Sequence, residues 1–176
     1  MFHGIQEVAG LTRVSLLKIK ESIIVSLRTD MSDQDPYNLQ RFLVAQAEDY
    51  ECALGELQRG RKESHWIWYI FPQVAGLGRS SMAEKYAIQS RDEAVAYLNH
   101  PVLGARLREC SEALLKYRGN RIEDIMGYPD DLKLRSSMTL FATISTPGSV
   151  FHKVLEAFYS GEMDERTVSF LRARDQ

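Results

Sequence analysis

The sequence predicts an all-α fold, a compact single-domain multi-helix bundle. Three observations carry that expectation. Apolar residues recur at three- and four-residue spacing through most of the chain after residue 34. Most of these runs open on a capping residue or a proline and close at a glycine. No pair of alternating apolar segments flanks an Asn-Gly or Asp-Gly turn, so no hairpin is signalled.

The elements follow in order. Asp35-Pro36 reads as an N-cap with proline at the first helical position, and a stripe from Leu39 and Phe42 to Leu54 and Leu57 leads to a stop at Gly60. Ser90-Arg91-Asp92-Glu93 is a capping box for a short helix through Ala96, Tyr97 and Leu98. Pro101 opens the next helix, whose stripe of Leu103, Leu107, Cys110, Leu114 and Tyr117 runs to Gly119. Asn120-Arg121-Ile122-Glu123 resembles a second box, stopped at Gly127. Asp130-Asp131 begins a helix carrying Leu134, Met138 and Phe141 on one side. Ser149 caps a helix with Phe151, Val154, Leu155 and Phe158 inward, and Asp164 caps the last, with Val168 and Leu171 inward. Trp66–Phe71 and Met138–Ser145 hold β-branched and aromatic residues that suit strands, but with helices around them and no partner strand both are assigned as helical.

Length and composition set the class. The chain has 176 residues, 44% hydrophobic and 26% charged, as expected of one globular domain able to bury a core. A net charge of −2 provides no general field for nucleic acid or an anionic membrane. The basic stretch Arg106, Arg108, Lys116, Arg118 and Arg121 lacks interleaved exposed aromatics and reads as solvated helix faces. No apolar run approaches the roughly 18 residues of a membrane span, and the N-terminus lacks the pattern of a signal peptide. Two cysteines without such a signal fit a reducing cytoplasm. Cys110 lies on an apolar stripe and Cys52 lies off one. No HExxH pair, EF-hand loop or close Cys/His spacing suggests a metal, and the cofactor is left unknown. Residues 1–30 read as an N-terminal extension, with Met31 a second candidate start, and 35–174 as the single domain.

Three segments could carry chemistry. Ser64–Gln73 holds both tryptophans and would be apolar all round as a helix, which places it at the centre of the fold. It reads either as a buried helix or as an aromatic wall (Trp66, Trp68, Tyr69) with His65 and Gln73 facing a flat ligand. Gly76-Leu77-Gly78-Arg79-Ser80-Ser81 opens a helical stretch over Met82–Ile88. There Gly78 and Ser80 free backbone amides for an anion and Arg79 adds a fork of donors. It is neither a dinucleotide fingerprint nor a Walker loop, and a plain turn with a serine cap is the alternative. In the third, Asp131, Arg135 and Thr139 share one helix face while Lys133, Ser136 and Ser137 share another. Such a set suits phosphate or carboxylate, with caps and one ion pair as the alternative.

These segments also resemble a bacterial family known only as domain of unknown function eighteen-ten, some of whose members are labelled calpastatin-like. The matching stretches are DPYNLQRFLVAQ, GRKESHWIWYIFPQ, GLGRSSMAEKYAI, HPVLGARLREC and DDLKLRSSMTLF, across about residues 35–160. The resemblance implies a compact all-α fold and no catalytic residue. No inhibitor-like disordered repeat accompanies the calpastatin label.

The functional expectation is a cytoplasmic pocket protein binding a small anionic, nucleotide-like ligand and able to hydrolyse or transfer it. Trp66, Trp68, Tyr69 and Gln73 would form the wall. Gly78, Arg79, Ser80, Lys133, Arg135 and Ser137 would hold the anion, and His65 or Asp131 would move protons. His65, Trp68, Arg79 and Lys133 should then line one cavity. The rival is a non-enzymatic interaction module that docks a partner through an exposed part of the aromatic segment.

Overall fold

The computed structural model describes residues 35–173. The extension expected over residues 1–30 lies outside them, as does residue 174.

The chain is all-α as the periodicity predicts, with nine helices and no paired strands among the described residues. The first, α1 (Gln40–Gln58), begins five residues after Asp35 and not at Pro36. Residues 35–38 form a tight turn closed by Asn38 N–H to the Asp35 carbonyl at 3.1 Å. Asn38 takes a left-handed φ of 51°, which asparagine tolerates and a helix does not. Gly60 ends the following turn with φ 70°, as its position predicts. The aromatic segment yields a single helical turn, α2 (Ile67–Ile70). Next come α3 (Ser81–Lys85), shorter than the stretch to Ile88 expected, and α4 (Arg91–Asn99). Ser90 caps α4 as predicted, its Oγ accepting from Glu93 N–H at 3.1 Å.

Pro101 does not open α5 (Leu103–Leu115). The His100 ring does, its Nδ1 accepting from the Val102 and Leu103 amides at 3.2 and 3.3 Å. The second capping box is absent: α6 (Ile122–Met126) follows Arg121 with no side-chain cap, because Asn120 turns back onto Tyr117. Then α7 (Asp130–Thr143) runs through the segment ambiguous with a strand, and α8 (Val150–Tyr159) follows. Ser149 precedes α8, but its hydroxyl meets His152 Nδ1 at 2.8 Å instead of a backbone amide. Asp164 caps α9 (Glu165–Ala173) as predicted, accepting from Thr167 N–H at 2.9 Å.

Two groups of helices share one core. Helix α5 lies against α1, α4 and α8, while α7 packs on α8 and α9. A relay of rings joins them, Phe42 to Tyr97 at 4.9 Å, Tyr97 to Phe141 at 5.5 Å and Phe141 to Phe151 at 5.6 Å. The α4–α5 approach requires Gly104, since a Cβ there would lie 1.9 Å from the Leu98 carbonyl oxygen. Cys110 is sealed in this core and burial pushes its thiol up to about 12, whereas Cys52 is exposed. No helix among the described residues is long and apolar enough to cross a membrane.

Candidate functional site

Trp66 and Trp68 sit on opposite sides of one helical turn, and the site begins from that fact. The turn is fixed by its backbone. Gln46, on the buried face of α1, donates to the Tyr69 carbonyl at 2.7 Å, and the Tyr97 hydroxyl donates to the same oxygen at 3.2 Å. Trp66, Ile67, Tyr69, Ile70 and Phe71 are all buried, as an all-apolar turn requires. Trp68 alone is half exposed.

Trp68 forms one wall of a cavity of about 430 Å3. The opposite wall is α7 with the residue before it, through Pro129, Leu132, Lys133, Arg135 and Ser136. The loop after the aromatic turn supplies Gln73, Leu77, Gly78, Arg79 and Ser80, and the start of α9 closes the site with Asp164 and Arg166. Of the twelve expected site residues, Trp68, Gln73, Gly78, Arg79, Ser80, Lys133 and Arg135 meet here from three separate segments.

The loop is held in place by local bonds. Gln73 O accepts from Ile88 N–H and Ile88 O from Ala75 N–H, each at 2.9 Å, which bridges Val74 to Ile88. That bridge takes Ile88 out of the helix predicted to reach it. Ser80 caps α3 by accepting from Ala83 N–H at 3.1 Å. Gly78 is required where the loop crosses this cap, because a Cβ would sit 2.5 Å from that of Ala83. Arg166 reaches back from α9 to the Gly76 carbonyl at 3.0 Å. With only five residues, α3 carries little of the helix dipole expected to attract an anion there.

The cavity is electropositive, with four cationic side chains on its walls (Arg79, Lys133, Arg135, Arg166) against one carboxylate, Asp164. Lys133 stands over the Trp68 ring, 4.7 Å from its centroid, and pairs with Asp130 at 2.7 Å. Asp130 also pairs with Lys62 at 2.6 Å, so two lysines share one carboxylate and one positive charge is left over. Burial alone would raise the Asp130 carboxyl, but hydrogen bonds and charge from Lys133 and Lys62 hold it below the usual range. Arg135 is anchored by the Glu162 and Met163 carbonyls at 3.1 and 3.2 Å, and pairs with the Glu162 carboxylate at 3.1 Å. Among the described residues, the Trp68 indole N–H, the Gln73 amide and the Arg79 guanidinium make no hydrogen bond, and all three line the cavity.

Five expected residues stand elsewhere. His65 is exposed and does not line the cavity; its carbonyl accepts a bond from the Tyr69 hydroxyl at 3.3 Å. Asp131 is buried in the first turn of α7, also off the cavity, with Oδ1 unpartnered. Ser137 is sealed in the core with its hydroxyl unpartnered. Tyr69 is buried with its hydroxyl on Asp49.

Trp66 belongs to a different centre, one that spacing did not reveal. Its indole N–H donates to Glu56 at 2.7 Å, and Lys62 lies 5.0 Å from its ring centroid. Glu56 also accepts from Glu63 N–H at 2.8 Å, from Ser64 N–H at 3.1 Å and from the Ser64 hydroxyl at 2.6 Å. Burial opposes its ionisation, but these bonds outweigh that and pull the carboxyl from 4.5 down to about 2. A glutamate among the apolar positions of α1 was the available signal. Arg166 had none, since its link to Gly76 spans 90 residues. Among the described residues no group of three or more His, Cys, Asp or Glu side chains could hold a metal ion.

The fold has a solved counterpart. The crystal structure at 1.38 Å of the conserved hypothetical protein Rv1873 from Mycobacterium tuberculosis is 48% identical, with a TM-score of 0.76. The match covers 78% of this chain and 99% of that one. No curated protein sequence matches. A family model does, over residues 36–171, and the chain therefore belongs to the family described as Protein of unknown function (DUF1810).

Proposed function

We propose that the chain binds a small anionic, nucleotide-like ligand in the cavity between Trp68 and α7. The observation that carries this reading is the set of unpartnered groups on its walls. A half-exposed indole, a free amide and a free guanidinium face one concave space of about 430 Å3, room enough for a nucleotide-sized molecule. The flat ring would lie along Trp68, with its edge within reach of the Gln73 amide, which can both donate and accept. The phosphate would meet Arg79 and Lys133, with Arg166 beside them. The proposal is for binding, because His65 and Asp131, the residues expected to move protons, stand away from the cavity. On the rival reading a docking surface would be confined to His65 and Trp68, since Trp66, Ile67, Tyr69, Ile70 and Phe71 are buried.

The test is a titration with AMP, GMP, UMP and CMP, followed by tryptophan emission. At least one should shift the Trp68 signal. Arg79→Ala should weaken its binding tenfold or more, about 1.5–3 kcal/mol for a lost charge-assisted contact. Flat emission with all four nucleotides would overturn the proposal.

A further inference from the structure

A second depression of about 650 Å3 adjoins the cavity, and Arg135, Asp164 and Arg166 line both. The two spaces differ in charge. Past the shared residues the cavity adds two cations, Arg79 and Lys133, whereas the groove adds two carboxylates, Glu162 and Glu165. The groove thus presents two arginines among three carboxylates, donors together with acceptors. A second phosphate would be repelled there. An ammonium group could meet the carboxylates but offers nothing to the arginines. Hydroxyl groups match both, since each donates to a carboxylate and accepts from a guanidinium. Glu162 is held in place by Arg135 at 3.1 Å, and Asp164 by its cap on Thr167, so these acceptors are already positioned.

We propose that this groove is a second subsite, continuous with the cavity, that takes the uncharged, hydroxyl-rich end of a phosphate-bridged ligand; the ligand class is then a nucleoside diphosphate sugar. The inference rests on the reading of the cavity as a nucleotide-like anion site. The base lies along Trp68, the diphosphate passes Arg79 and Lys133 to the border at Arg166, and the sugar enters the groove.

The experiment compares three ligands for each base by calorimetry: the monophosphate, the diphosphate, and the diphosphate sugar (ADP-glucose, GDP-mannose, UDP-glucose, CDP-glucose). For the preferred base the sugar should tighten binding at least tenfold over the diphosphate. The double variant Glu162→Gln, Glu165→Gln changes two exposed side chains, so its melting temperature should match the parent's. It should lose the sugar's increment while binding the diphosphate no more weakly. Equal affinity for diphosphate and diphosphate sugar overturns the subsite and leaves the cavity reading standing, as does an increment that survives in the variant. If none of the ligands binds, the cavity reading itself falls and this inference with it.

Discussion

Trp66 and Trp68 lie two residues apart and meet opposite fates. Each faces a lysine, Lys62 over Trp66 and Lys133 over Trp68, and both lysines pair with Asp130. On the Trp66 side every partner is internal, with the indole N–H on a carboxylate that collects four further bonds, one of them from the Cys52 thiol. On the Trp68 side the indole N–H, the Gln73 amide and Arg79 are left open to a cavity. Two nearly symmetric cation–aromatic pairs thus separate into a closed cluster and an open cavity. What divides them is whether the chain satisfies its own polar groups.

The largest way to break this comparison is at Glu56. Glu56→Ala strips the acceptor from five buried or half-buried hydrogen bonds and should destabilise by about 3–5 kcal/mol, read by chemical denaturation. A loss below about 1 kcal/mol would show the cluster to be incidental. The same carboxylate predicts a pH dependence. Its folded pKa of about 2 lies below the ordinary 4.5, so its stabilisation is complete above pH 4.5 and is lost as pH falls toward 2. The wild type should lose about 2–3 kcal/mol over that window beyond what a Glu56→Gln variant loses.

A smaller effect sharpens the contrast directly. Trp66→Phe leaves Glu56 short of a donor and opens space in the core, costing about 2–3 kcal/mol. Trp68→Phe removes an N–H that bonds nothing and should change stability by less than about 1 kcal/mol. Equal costs would mean that the two sides are not distinct. The smallest effect is optical. With Trp68→Phe the remaining emission comes from Trp66, which is 1% exposed and should resist acrylamide, while Trp66→Phe leaves a quenchable signal.

Local chemistry made most of the fold legible. Ser90 and Asp164 cap the helices they were read to cap, and the Leu103–Leu114 stripe with Cys110 is buried as its spacing requires. The misreadings share a cause. Asp35-Pro36, Pro101 and Asn120 carry helix-start signals, yet bonds from neighbouring residues claimed those positions for turns. Asn38 at positive φ, the His100 ring and the Asn120–Tyr117 bond decided them.

The cavity was legible only as parts. Sequence alone identified an aromatic segment, a glycine loop with Arg79, and a cationic helix bearing Lys133 and Arg135, because residue types at helical or turn spacing announce such parts. It could not say which side of the aromatic turn faces inward, since one turn of helix has no period long enough to read. Nor could it bring Arg166 to Gly76, or set Glu162 and Asp164 beside the cavity. Capping and periodicity are interactions over three or four residues and are written locally. Which polar group goes unpaired is settled only when every helix has packed and every nearby partner has been taken.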